Sequence, residues 1–440
     1  MSIASITLLI VVAIGVLLCM GLPLAFVTGA VAVTAGLMKF GTPVLGLIAS
    51  RIYSFMSEYV LVAVPMFILM ASLMERSGVA RDLYRAMYVW GGRLRGALAV
   101  QTLIAAVIMA AMTGIIGGEI VLLGLIALPQ MLRLRYDKGL AVGTICAGGS
   151  LGTMIPPSIV LILYGLTANV SIGDLFLATV VPGLLLALLY LVYIVAICHL
   201  KPELGPPAPP EERDLPLTAK LALLKGLVLP LSVAVWVLGS IYAGIASVSE
   251  AAGMGVVGTL LSAAARRELN WPMVREALHQ TMNTCGMLLW LTFGATALIG
   301  VYNLMGGTQF VRSAVVGLEL SPLLVVLLMM AILIVMGMFM DWVGILLLTI
   351  PIFVPVIVSL GYNAIWFGIL FCMNMQISYL SPPFGPAAFY LKGVAPPEIS
   401  LRDIYVGVSP FIVLQLIGLA LVLFYPDIAM WLPRLVYGGG

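Results

Sequence analysis

The sequence predicts an all-α multi-pass membrane protein made of two related halves whose helices are broken at matching places. Three observations carry that expectation. Hydrophobic residues make up 62% of the 440 positions and charged residues 9%, against roughly 45–50% and about 25% in a soluble domain. The second half repeats the first at a constant offset of 226 residues. Each half is also interrupted by Gly- and Pro-rich segments that fall inside apolar runs.

So apolar a chain cannot cover its own surface with polar groups. A span needs roughly 20 apolar residues to cross a hydrocarbon core of about 30 Å. The stretches Ile3 to Leu18, Val60 to Met74, Leu175 to Ile197, Leu323 to Met340 and Phe411 to Phe424 read as helices in lipid, since open sheets would leave backbone groups unpaired there. The first of them has no early Lys or Arg and runs on into further apolar segments, which predicts a retained span rather than a signal peptide.

The net charge of +3 is small and scattered, which argues against a nucleic-acid partner. The basic residues are topology signals instead. Arg76, Arg81, Arg85, Arg93 and Arg95 surround an amphipathic stretch suited to the membrane interface. Arg266, Arg267 and Arg275 bracket Trp271-Pro272 at the head of another short amphipathic stretch ending at Asn283. Loop charge bias puts both groups on the cytoplasmic side, with Arg133, Arg135 and Lys138 competing for that assignment. Cys19, Cys146, Cys198, Cys285 and Cys372 lack metal or redox spacing and read as small apolar fillers. The two histidines, His199 and His279, are too far apart in sequence to suggest a metal site or a catalytic triad.

At the offset of 226, Pro156-Pro157 falls on Pro382-Pro383. Gly118, Leu122, Pro129, Leu134, Tyr136 and Tyr164 fall without a gap on Gly344, Leu348, Pro355, Leu360, Tyr362 and Tyr390. Residues 1–200 form the first half and 217–440 the second. The Pro-rich segment 201–216 between them reads as an extended, solvated linker outside the membrane. An odd number of crossings between equivalent elements would insert the repeats upside down relative to one another.

Pro inside a helix costs about 3 kcal/mol and Gly about 1, so interruptions at membrane depth need compensation. The first is Gly148-Gly149-Ser150-Leu151-Gly152 followed by Ile155-Pro156-Pro157-Ser158. The second is Asn374-Met375-Gln376-Ile377-Ser378 followed by Ser381-Pro382-Pro383-Phe384-Gly385-Pro386. Irregular backbone at this depth is tolerated when it is buried or lines a polar cavity. A simple packing kink is the plainer reading of either motif, and its recurrence in both halves disfavours that. Freed carbonyls can hold a hard cation, and the following helix N-terminus can attract a carboxylate; Ser150, Ser158, Ser378 and Ser381 add hydroxyl oxygens.

Upstream of each break lies a second interrupted segment, Met112-Thr113-Gly114-Ile115-Ile116-Gly117-Gly118-Glu119 in one half and Gly337-Met338-Phe339-Met340-Asp341 in the other. Flanking runs too short to span alone predict re-entrant hairpins, near 113–119 and 337–344. Their tips would meet the breaks near 148–158 and 374–386 to give one pocket per repeat. Glu119 and Asp341 are acids inside apolar runs, hence functional candidates, with a helix-capping role as the alternative. They differ by four positions at the repeat offset.

These segments carry a resemblance. AGGSLGTMIPPSIVLILYG, MDWVGILLLTIPIFVP and NMQISYLSPPFGPAAFYLKG are similar to signatures of the large membrane subunit of tripartite ATP-independent periplasmic (TRAP) transporters, and the likeness runs from Pro23 to Pro433. The stretch FYLKGVAPPE resembles the subgroup labelled mannitol/chloroaromatic-compound permeases. The resemblance implies an elevator-type, Na⁺-driven importer of organic acids in the bacterial inner membrane, with Na⁺ as coupling ion and no other cofactor. It implies two partners, a small four-span membrane subunit, not fused to this chain, and a periplasmic solute-binding protein. Carried over by position, it places ion and substrate binding at Thr113, Gly114, Gly117, Gly118, Glu119, Gly149, Ser150, Gly152, Pro156, Pro157 and Ser158 in the first half. In the second half it selects Gly337, Asp341, Asn374, Gln376, Ser378, Ser381, Pro382 and Pro383, with Na⁺ at Gly114, Ser150, Asp341 and Ser378. The tip TGIIGGE departs from the Ser-rich tip of many relatives, which leaves open whether hydroxyls or carbonyls dominate the first sodium site.

Other classes fit less well. A membrane-embedded enzyme needs convergent acid/base or Asp-rich metal motifs, which are missing from the sequence, so no catalytic residues are assigned. A redox-complex subunit should carry a relay of intramembrane Lys and Glu, and only Glu119, Glu250 and Asp341 come near. The absence of GxxxxGK[ST] argues for an ion gradient over nucleotide hydrolysis. The nearer alternative is a stand-alone sodium/dicarboxylate symporter of similar architecture.

Overall fold

The computed structural model describes residues 2–88, 94–114, 116–207, 217–317 and 320–438, which are helical throughout with no strand among them. Arg93, Ile115 and linker positions 208–216 lie outside these residues, as does the side chain of Arg85.

The chain opens with α1 (Ile3–Cys19), α2 (Leu24–Phe40), α3 (Pro43–Met56), α4 (Ala63–Arg76) and the amphipathic α5 (Val79–Tyr88). The first repeat follows as α6 (Ala97–Thr113), α7 (Gly118–Arg133), α8 (Lys138–Ser150) and α9 (Ile159–Ala168). Next come α10 (Ile172–Leu200), α11 (Leu217–Tyr242), α12 (Val248–Ala265), α13 (Trp271–Leu304) and α14 (Gly307–Gly317). The second repeat is α15 (Pro322–Gly337), α16 (Trp342–Ser359), α17 (Ala364–Leu380) and α18 (Pro386–Lys392), after which α19 (Leu401–Phe424) and α20 (Asp427–Tyr437) close the fold.

The register of 226 is visible in local chemistry. Asp137 caps α8 by accepting from the Leu140 N–H at 2.9 Å, and its equivalent Asn363 caps α17 by accepting from Ile365 at 2.7 Å. Pro129 lies inside α7 and Pro355 inside α16. Pro156-Pro157 and Pro382-Pro383 are both cis. The arms α6, α7, α15 and α16 hold 17, 16, 16 and 18 residues. At 1.5 Å per residue they reach about 24–27 Å, short of a core of about 30 Å. Of the four, α16 also counts as a membrane span by length and hydropathy, as do the segment Tyr59–Arg76, α10, α12, α13 and α19.

The repeats are interlocked. The half-helix α9 packs on α16 of the other repeat, and α18 packs on α7. Gly124 of α7 makes room for the latter, since a Cβ there would stand 2.8 Å from the side chains of Leu391 and Val394. Around this unit, α2, α3, α4 and α16 pack along α13.

Two expectations change. The amphipathic stretch from Trp271 to Asn283 is no separate element but the start of the 34-residue α13. Pro272 stands in the first turn, where its missing N–H costs nothing, and the helix then runs on into apolar sequence. The linker begins docked rather than solvated: Leu204 accepts from the Asp137 N–H at 3.0 Å and Gly205 from the Gly96 N–H at 2.9 Å. Proline restricts the chain there without preventing its carbonyls from serving as acceptors. Of the cysteines, Cys146, Cys198 and Cys372 are buried, Cys285 is half-buried and Cys19 is exposed.

Candidate functional site

In the first repeat the hairpin tip lies backbone to backbone against the helix break. Gly114 ends α6 with φ +64°, and a Cβ there would run into the carbonyl oxygen of Pro157. Gly149 is pressed against Ile120, and the Cβ position of Gly152 stands 2.9 Å from Oε1 of Glu119. The Thr113 hydroxyl hydrogen-bonds the Glu119 carboxyl across the tip. In the break itself, Ser150 donates to the Ala147 carbonyl at 2.8 Å, Thr153 to that of Ser150 at 3.2 Å and Ser158 to that of Thr153 at 2.6 Å.

The second repeat reaches the same arrangement with sizes exchanged. Ser378, equivalent to Gly152, fills the space where Gly337 of the hairpin would carry a side chain. Asp341 is the N-cap of α16 and accepts from the Val343 N–H at 3.2 Å, so the capping role is realised. Asn374 donates to the Met330 carbonyl at 2.9 Å, joining α17 to α15, and Ser381 donates to that of Ile377 at 2.7 Å. Ser150, Ser158 and Ser381 thus spend their protons locally and keep only oxygen lone pairs for a ligand. Gln376 donates to Thr153 at 2.6 Å, from one break to the other.

The tips share one cavity instead of owning a pocket each. It has a volume of about 540 Å³ and is lined by Gly114, Gly117 and Gly118 from one tip and by Asp341 and Trp342 from the other, with Thr153 and Tyr379 from the breaks. Interlocking is the cause: α18 reaches the first tip, and the Tyr390 ring lies 3.2 Å from where a Gly117 Cβ would stand. Its equivalent Tyr164 is instead fully buried and donates to the Ala364 carbonyl at 2.6 Å. A second cavity of about 10 Å³ meets Gly337, Asp341, Ser378 and Tyr379, about the room of one water-sized sphere. Thr113, Glu119, Gly149, Ser150, Gly152, Ser158, Asn374, Gln376 and Ser381 stand behind these walls, and the four Pro residues shape the breaks. A larger open groove of about 670 Å³ at Arg81, Tyr84 and Gln130 touches neither tip nor break.

A further part of the wall comes from Glu75, which sequence reasoning did not single out, and Arg76, which it read only as a topology signal. Glu75 and Arg76 end α4, and the Glu75 carboxylate occupies the Cβ position of Gly118. Arg76 donates to Glu276 at 2.5 Å and to Gln280 at 2.9 Å on α13, and Ser72 donates to Gln280 at 3.0 Å. The sequence signal was an acid and a base adjacent at the end of an apolar run, a pattern that also marks any span boundary.

Two hairpins facing two broken helices around a shared cavity, in a multi-pass membrane chain, define a membrane transport protein. The family described as "Tripartite ATP-independent periplasmic transporter, DctM component" matches residues 10–428, and the chain belongs to that family. The chain is therefore a TRAP large permease. It is 28% identical to the C4-dicarboxylate TRAP transporter large permease protein DctM of Vibrio cholerae, covering 99% of this chain and 98% of that one. It is 30% identical to the Pseudomonas aeruginosa protein of the same description, over 88% and 89%. It is 28% identical to the ectoine TRAP transporter large permease protein TeaC of Halomonas elongata, over 98% and 99%. Among solved structures, the Alcanivorax borkumensis YdaH transporter shares the fold with a TM-score of 0.63 at 15% identity, over 90% of this chain and 89% of that one.

Proposed function

We propose that this chain is the large membrane subunit of a Na⁺-driven TRAP transporter that imports a small organic acid across the bacterial inner membrane. The carrying observation is the 540 Å³ cavity onto which α7 and α16 both open their N-termini, at Gly118 and Trp342, with Arg76 in its wall. Helix N-termini and a guanidinium attract a carboxylate. The relatives named for C4-dicarboxylate support an organic acid as the ligand. Sodium is the coupling ion, held in the second repeat where Asp341 and Ser378 meet around the 10 Å³ cavity and in the first near Gly114 and Ser150. Carbonyl, hydroxyl and carboxylate oxygens suit so hard a cation. A four-span membrane subunit and a periplasmic binding protein complete the transporter, the latter delivering the ligand.

Proteoliposomes holding this chain, with and without both partners, test the reading under imposed Na⁺ or proton gradients. Uptake should require all three components and Na⁺. Equally fast uptake by the chain alone would favour the stand-alone symporter, and unchanged uptake without Na⁺ under a proton gradient would overturn the choice of ion.

A further inference from the structure

The groove of about 670 Å³ lies between the amphipathic α5, which supplies Arg81 and Tyr84, and the outer half of α7, which supplies Leu125, Pro129, Gln130 and Arg133. Arg81 and Arg133 are both exposed. A re-entrant hairpin returns to the side it left, so the two guanidiniums stand at one membrane surface, which loop charge bias makes the cytoplasmic one. Among the described residues no acid lines the groove. Asp82 of α5 is paired with Arg266 at 2.5 Å.

Acceptors and apolar surface stand beside the two cations. Pro129, inside α7, has no N–H to return to the Leu125 carbonyl four residues back, and Oε1 of Gln130 has no protein partner. The side chains of Leu125 and Pro129 are exposed on the same wall. The hairpin does not need this polar lining in order to form. At the repeat offset of 226, Pro129 falls on Pro355, but Gln130 falls on Val356 and Arg133 on Ser359, and the matching arm α16 forms without them.

We propose that this groove binds the headgroup of an anionic phospholipid of the phosphatidylglycerol type from the cytoplasmic leaflet. Arg81 and Arg133 hold the phosphate, as guanidinium groups at an anionic membrane surface do. The Leu125 carbonyl and the Gln130 carboxamide accept from the headgroup hydroxyls, and the apolar side chains of Leu125 and Pro129 meet the acyl chains. Bound this way, one lipid bridges α5 to the hairpin arm whose other end walls the 540 Å³ cavity. The site is read by binding alone, so it stands or falls separately from the transport reading above.

Native mass spectrometry of the full chain in neutral detergent, titrated with phosphatidylglycerol, phosphatidylethanolamine or phosphatidylcholine, tests this. Phosphatidylglycerol should bind best, phosphatidylethanolamine less well for want of net charge, and phosphatidylcholine least, having neither net charge nor a donor. Arg81→Gln with Arg133→Gln should weaken phosphatidylglycerol binding about tenfold for each arginine lost. Arg275→Gln with Arg402→Gln removes the same charge from exposed positions outside the groove and should leave binding unchanged. Equal losses in the two double variants, or equal affinity for the three lipids, overturn the proposal. So does displacement of the lipid by glycerol 3-phosphate at matched concentration, which would make the groove a site for a soluble anion. Loss of the lipid when the small membrane subunit is added would give the groove to that protein and overturn it too. Should the glutamine pair fail to fold, Arg81→Lys with Arg133→Lys decides: lysine keeps the charge but lacks the planar fork, so affinity should fall severalfold, and wild-type affinity would reduce the groove to a patch of charge.

Discussion

The side-chain amide of Gln376 donates to the hydroxyl of Thr153 at 2.6 Å, so a side-chain hydrogen bond ties the break of one repeat to the broken helix of the other. Both residues are buried, and Oε1 of Gln376 has no protein partner. Thr153→Val would strand the amide donor as well, at about 1–3 kcal/mol. Replacing both partners with apolar groups, as in Thr153→Val with Gln376→Leu, should recover most of that loss. Thermal unfolding of the solubilised variants measures it, and simple addition of the two single effects would show that the bond carries no coupling.

Gly114 tests the contact between tip and break. Alanine there meets the left-handed backbone, costing about 1–2 kcal/mol, and its Cβ runs into the Pro157 carbonyl. Gly114→Ala should abolish uptake. Gly286→Ala, with nothing within 4 Å, should leave uptake intact and add up to about 1 kcal/mol of stability. Normal uptake by Gly114→Ala would mean that the tip does not need this packing.

Asp341→Asn separates capping from charge. Asn caps a helix about as well as Asp, so the variant should reach wild-type abundance. If Asp341 also holds the coupling cation, half-maximal uptake should need much more Na⁺. Superimposable Na⁺ curves would leave Asp341 a cap only.

The pair Arg76–Glu276 is partly exposed, with side chains 32% and 64% accessible, and contributes only about 0–1 kcal/mol to stability. Arg76→Gln should therefore change the melting temperature little while weakening uptake strongly. Exchanging the charges, Arg76→Glu with Glu276→Arg, restores the pair without restoring the guanidinium in the cavity wall. Recovery of uptake by that exchange would reduce Arg76 to a clamp between α4 and α13.

The hairpins and breaks were legible because glycine and proline at membrane depth are costly enough to stand out, and because the same pattern recurs 226 residues later. The shared cavity was not, since it depends on α18 lying on α7, a contact between residues far apart in sequence that no local pattern encodes. Glu75 and Arg76 were hidden by position, because charge at the end of an apolar run is what any span boundary shows. Side-chain placement was equally hidden: Ser378 fills the Cβ position of Gly337 on the hairpin, although its hydroxyl, like that of Ser150, bonds back within its own helix. The continuity of α13 escaped because its amphipathic opening and its apolar remainder look like two elements when each is read alone.

The exchange of half-helices, α9 onto α16 and α18 onto α7, has a consequence for genetics. A lesion does not stay in the half of the gene that carries it. Enlarging Gly124 in the first half would displace Leu391 and Val394 in the second, so a suppressor of that damage is expected in the other half, and phenotypes cannot be sorted into those of one repeat and those of its twin.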